Sequence, residues 1–132
     1  NSRVIKFRGR RIDNGQWAYG SLLQWSDGDA TILEGNEEGL NFVWKRYVQP
    51  ETVGQLTGLK DAQGQEIYEG DILREGETGN TLQVVYNAPQ FCFKHNAYGY
   101  VFLNHPENFK VIGNVYDNPE LLKGGNNERD TE

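Results

Sequence analysis

Apolar residues in this chain fall in short alternating runs separated by turn formers, which is the pattern of antiparallel strands. Residues 4–12 alternate: Ile5 and Phe7 are expected to face a core, and Lys6, Arg8 and Arg10 to face outward, because successive strand side chains point to opposite faces. Asp13-Asn14-Gly15 then predicts a hairpin turn, since primed turns need positive φ and Asn-Gly tolerates it best. Residues 17–25 supply the returning strand. Further strands are predicted over 30–33, 41–48, 52–57, 71–75, 81–86, 91–94, 99–103 and 109–116, separated by clusters such as Ser26-Asp27-Gly28-Asp29 and Gly76-Glu77-Thr78-Gly79-Asn80.

No segment sustains a helical period. The best helical candidate is residues 118–122, with Asn118 as cap, Pro119 at the first helical position and Gly124 as terminator. Beyond it, 124–132 is Gly/Asn-rich and then charged, which reads as a disordered tail. The expected organisation is therefore one β domain over 1–123, with a subdomain boundary to be looked for near residue 50, around Gln49-Pro50-Glu51.

Composition supports a folded chain: 132 residues, 36% hydrophobic and 24% charged, suffice for a core without metal or disulfide staples. No apolar run approaches the roughly 18 residues of a membrane helix, and the start has no signal-like apolar stretch. Cys92, the single cysteine, suits a reducing compartment, so the expected location is the cytoplasm, with no membrane partner.

Charge is uneven. Net charge is -6, yet Arg3, Lys6, Arg8, Arg10 and Arg11 place five cations in the first eleven residues with no acid among them. Such a stripe either meets nucleic acid or an acidic partner, or pairs with acids of the same fold.

Three blocks carry a family resemblance. They are Ile5-Lys6-Phe7-Arg8-Gly9-Arg10-Arg11 with the Asp13-Asn14-Gly15 turn, residues 52–61 continuing through Gly64 and Glu66-Ile67-Tyr68-Glu69-Gly70-Asp71-Ile72-Leu73, and residues 111–122. Together they resemble the YopX family of phages and prophages, the first block in the version common in gut Bacteroidetes elements. The resemblance implies a β-rich fold with an SH3-like small barrel component, but no established activity and no agreed catalytic residues. In the central block, Asp61-Ala62-Gln63-Gly64 fits a tight turn, and Gly58 and Gly70 mark positions of positive φ or close approach. Tyr68 to Leu73 resembles the loop-to-strand entry of many SH3-like barrels, where an Asp accepts backbone hydrogen bonds.

Candidate chemistry is sparse. Asp61, Glu66, Glu69 and Asp71 are hard-cation ligand types, but their spacing departs from an EF-hand, and a turn bearing solvated acids is the better reading. Cys92, His95 and His105 are too few for a zinc site without an added acid, and no recognisable signature supports a Cys92–His95 nucleophile and base. No glycine-rich phosphate loop is present. The aromatics Trp17, Tyr19, Trp25, Phe42, Trp44, Tyr47, Phe91, Phe93, Tyr98, Tyr100 and Phe102 suit core and cross-strand pairing better than base stacking.

The expected function is that of a non-enzymatic accessory protein of a phage or prophage, binding a protein partner or a second copy of itself. No catalytic, cofactor or metal residue is assigned. The alternative, less favoured, is a nucleic-acid-binding small β-barrel protein using Arg3, Lys6, Arg8, Arg10 and Arg11.

Overall fold

The computed structural model describes residues 4–35, 43–77, 79–87, 90–95, 99–102 and 105–124. The chain divides into two compact units, Asn1–Leu56 and Thr57–Glu132. Both are antiparallel β structures, so the all-β class holds.

In the first unit, β1 (Phe7–Arg10), β2 (Trp17–Gln24), β3 (Ala30–Gly35) and β4 (Val43–Val48) form a meander, and the start of β5 (Gly54–Lys60) pairs on the other side of β1. Gly15 alone supplies the positive φ of the first turn, at 75°, and Arg11 N–H donates to the Gln16 carbonyl at 2.8 Å. The connection is therefore longer than a two-residue primed turn, and Asn14 instead accepts the Gln16 N–H through its side chain. At its far end β1 meets β4: Arg11 bridges Val48, Ile12 N–H donates to the Tyr47 carbonyl and Gln49 N–H to the Arg10 carbonyl. The sheet thus curls around a small core of Ala18, Ala30, Ile32 and Val48, with Phe7, Leu22 and Val53 against it. Gly9 is required at that curl, because a Cβ there would lie 2.9 Å from a methyl of Val48.

Two expectations need correction in this unit. Ile5 is 58% exposed instead of facing the core, because the ladder begins only at Phe7. The strand expected over 52–57 starts later, since residues 50–52 form a 3-10 turn whose buried Thr52 hydroxyl bonds the Gln49 carbonyl and accepts the Arg10 N–H.

In the second unit β7 (Asp71–Glu75), β8 (Thr81–Asn87), β9 (Gln90–His95), β10 (Gly99–Phe102) and β11 (Phe109–Asn114) form a sheet in the order β10-β9-β8-β7-β11. The short β6 (Glu66–Tyr68), unforeseen in the sequence, precedes it. Ile67, Leu73, Leu82, Val84 and Phe93 make the core, with Phe109 and Val111 packed on it and the Phe93 and Phe109 rings 4.8 Å apart. β11 carries a bulge between Val111 and Gly113.

The helical turn at the C-terminal end is present as α1 (Glu120–Gly124). Asn118 stands before it, and its carbonyl accepts the Leu121 N–H at 3.0 Å. Its side-chain oxygen accepts the Asn114 N–H and lies where a Cβ on Gly113 would clash. Among the described residues the second unit's sheet is open at β10 and β11, and no closed barrel forms. The expected tail, apart from Gly124, lies outside the described residues.

Candidate functional site

The β1–β2 register sets two faces. Gly9 opposite Ala18 and Phe7 opposite Gly20 lie on the core side, so Arg8 opposite Tyr19 and Arg10 opposite Trp17 lie on the other. The predicted stripe exists as a row, but Arg8 is not outward in the sense of reaching water: it is 6% exposed. Its guanidinium stands 4.8 Å from the centre of the Trp17 ring, and that of half-buried Arg10 stands 5.5 Å from the same ring. A ring quadrupole attracts both cations, so Trp17 turns two members of the stripe into packing.

The remaining members are dispersed. Arg11 forms a bidentate pair with Asp13, with contacts of 3.0 and 2.8 Å. That hydrogen-bonded pair raises the Arg11 pKa and lowers that of Asp13. Lys6 is half-buried and its carbonyl accepts the Leu56 N–H. Arg3 lies outside the described residues. The geometry therefore does not gather Lys6, Arg8, Arg10 and Arg11 into one phosphate-facing surface.

What the same face does expose is apolar. Leu23, Thr31 and Tyr47 sit directly opposite one another across β2, β3 and β4, and the Trp25 indole donates to the Thr31 hydroxyl at 3.1 Å. Thr31 is thereby buried, whereas Tyr47 is 60% exposed and Leu23, Trp25, Tyr19 and Val43 are also open to solvent. Aromatic and aliphatic groups held on rigid strands with water-facing surface are the material of protein contacts.

A concavity of about 220 Å³ lies where the ends of β1 and β4 meet, lined by Arg11, Ile12, Asp13, Lys45, Arg46 and Tyr47. Arg46 pairs with Glu34 at 2.8 Å and lies over the Trp44 ring at 4.9 Å. Sequence reasoning missed Lys45 and Arg46, since only the curl of the sheet brings them beside Arg11. The one available signal was the run 43–48, which carries charge and aromatics on both faces, as an edge strand does.

Two of the four carboxylates of the central block, Asp61 and Asp71, serve the backbone. Asp61 and Asp71 are buried and not solvated as expected, because each accepts main-chain N–H groups. Asp61 takes those of Gln63, Gln65 and Val111 at 2.8 to 2.9 Å. Burial by itself would raise its pKa, but the donors of Val111, Gln65 and Gln63 and the nearby charge of Lys110 outweigh this and hold it below the usual carboxylate value. Asp71 takes the Tyr68 N–H at 2.7 Å, as expected for the strand entry, and Gly58, Gly64 and Gly70 all adopt positive φ.

Among the described residues no three His, Cys, Asp or Glu side chains gather where a metal ion would be held. Cys92 is buried in β9, and His105 contacts Glu107 at 3.2 Å. The side chain of His95 lies outside the described residues. No helix among the described residues is long and apolar enough to cross a membrane.

The chain is similar to a solved structure, protein EF1440 from Enterococcus faecalis, with a TM-score of 0.60 over 92% of this chain and 100% of that one. At 22% identity this likeness shows a shared fold and nothing more. No curated protein matches the chain. The family model described as YopX protein matches residues 6–123, and with it the resemblance in the three sequence blocks becomes an assignment: the chain belongs to the YopX family.

Proposed function

We propose that this chain is a non-enzymatic accessory protein of a phage or prophage that works in the host cytoplasm by binding a protein. The observation that carries this reading is the row formed by Leu23, Tyr47 and Trp25 around buried Thr31, an exposed apolar surface fixed on three paired strands. An apolar patch of this kind is stabilised by covering it, and its rigid backbone lowers the ordering cost of a contact. The nucleic-acid alternative draws less support, since Arg8 is buried against Trp17 and Arg11 is tied to Asp13.

The test is capture of partners by the tagged chain from cells carrying the element, compared with a Leu23→Ser/Tyr47→Ser variant whose fold is checked by circular dichroism. The reading expects a defined protein to be held by the parent and lost by the variant. Equal capture by both, or a salt-sensitive mass increase with DNA or RNA in light scattering, would overturn it.

A further inference from the structure

Among the described residues the sheet of the first unit ends at β4. Ile12 N–H meets the Tyr47 carbonyl at 2.9 Å on the side of β4 away from β3, and the chain then leaves that edge through the turn at Asp13. Alternate residues of a strand direct their main-chain groups the same way. The N–H and C=O of Lys45 therefore point away from β3 too, and among the described residues nothing bonds them. The open edge borders the concavity, whose lining holds Arg11, Lys45, Arg46 and Asp13; with Glu34 paired to Arg46, three cations stand there against two carboxylates. This is a local positive balance in a chain of net charge -6.

Side-chain alternation places Lys45 and Tyr47 on one face of β4, and Trp44 and Arg46 on the other. Each face thus offers a cation and a ring beside the edge. Such an arrangement suits a strand that brings both acids and apolar groups.

We propose that this edge takes an extended acidic peptide segment of a partner as an added strand. The segment continues the line of β1 beyond Ile12, pairs its main chain with Lys45, and sets a carboxylate against the Lys45 ammonium with apolar groups on Tyr47 and Ile12. Main-chain pairing favours peptide over nucleic acid, whose phosphates have no N–H to offer the Lys45 carbonyl. The proposal rests on the protein-binding reading above and names the partner's chemistry.

The probe is a fluorescent eight-residue peptide repeating Glu-Glu-Val-Val, measured by anisotropy and by amide shifts of nitrogen-15-labelled full chain. Binding is expected, with shifts centred on Val43 to Tyr47, weakened about tenfold by Lys45→Glu and lost in Lys45→Pro, which removes the edge donor. An analogue N-methylated at alternate residues should also fail, and it leaves the protein untouched. Equal binding by the N-methylated peptide, or by one with lysine for glutamate, would overturn the proposal, as would no binding at millimolar peptide. Shifts confined to Leu23 and Trp25 would overturn the edge while supporting the wider reading, which partner capture judges separately. A dimer in light scattering that Lys45→Pro converts to monomer would assign the edge to a second copy and contradict the peptide.

Discussion

The two units use charge in opposite ways. In the second unit Asp61 and Asp71 are buried, and their oxygens close turns and fasten strands by accepting main-chain N–H groups. In the first unit Arg8 and Arg10 are held by a ring, Arg11 and Arg46 by ion pairs near the surface, and Lys45 is exposed. A carboxylate surrounded by backbone donors has little left to offer a ligand. Cations and rings at a strand edge keep part of their surface for one. On the reading proposed above, the acids of the second unit serve structure, whereas the edge and outer face of the first serve recognition.

The change expected to break this comparison most severely is Asp61→Ala, which leaves three main-chain donors without their acceptor. A loss of about 3 kcal/mol is expected, read in amide exchange of Ile67, Leu73 and Val84. The same carboxyl gives a pH signature. Because its folded pKa lies below the ordinary 3.8, its contribution is complete above that value and is lost as pH falls through the lower folded value. Acid unfolding of Asp61→Asn should consequently be flatter with pH than that of the parent.

Next in size is Gly9→Ala, whose added Cβ meets Val48 at the curl of the first unit. About 2 kcal/mol is expected from the forced shift of β1 against β4. Urea unfolding followed by tryptophan fluorescence reads this unit, since Trp17, Trp25 and Trp44 all lie in it. Arg8→Ala should cost about 1 kcal/mol by the same measurement, through loss of stem packing and the contact with Trp17. The smallest effect is expected for Asp13→Asn: its pair with Arg11 is solvated, and thermal unfolding should show no measurable shift.

Most strands were legible because alternation and turn residues agree, as at the Asp27-Gly28 turn and in β7 and β8. β6 was not, since three residues are too few for a period to register. Of the candidate surface, alternation correctly put Arg8 and Arg10 on the face opposite Phe7. It gave no sign that Trp17, from the neighbouring strand, would cover them, because register between strands is a tertiary fact. The nearness of Arg11 to Lys45 and Arg46 depends likewise on the bridge between Arg11 and Val48, thirty-seven positions apart in the sequence.

The most direct test of the division between a structural stripe and a recognition face is a pair of measurements on Arg8→Ala and Tyr47→Ser, each scored for thermal stability and for partner capture below the unfolding transition. The account predicts that Arg8→Ala lowers the melting temperature but keeps the partner, while Tyr47→Ser keeps the melting temperature and loses it. Loss of capture in Arg8→Ala at unchanged stability, with Tyr47→Ser binding as the parent does, would contradict it.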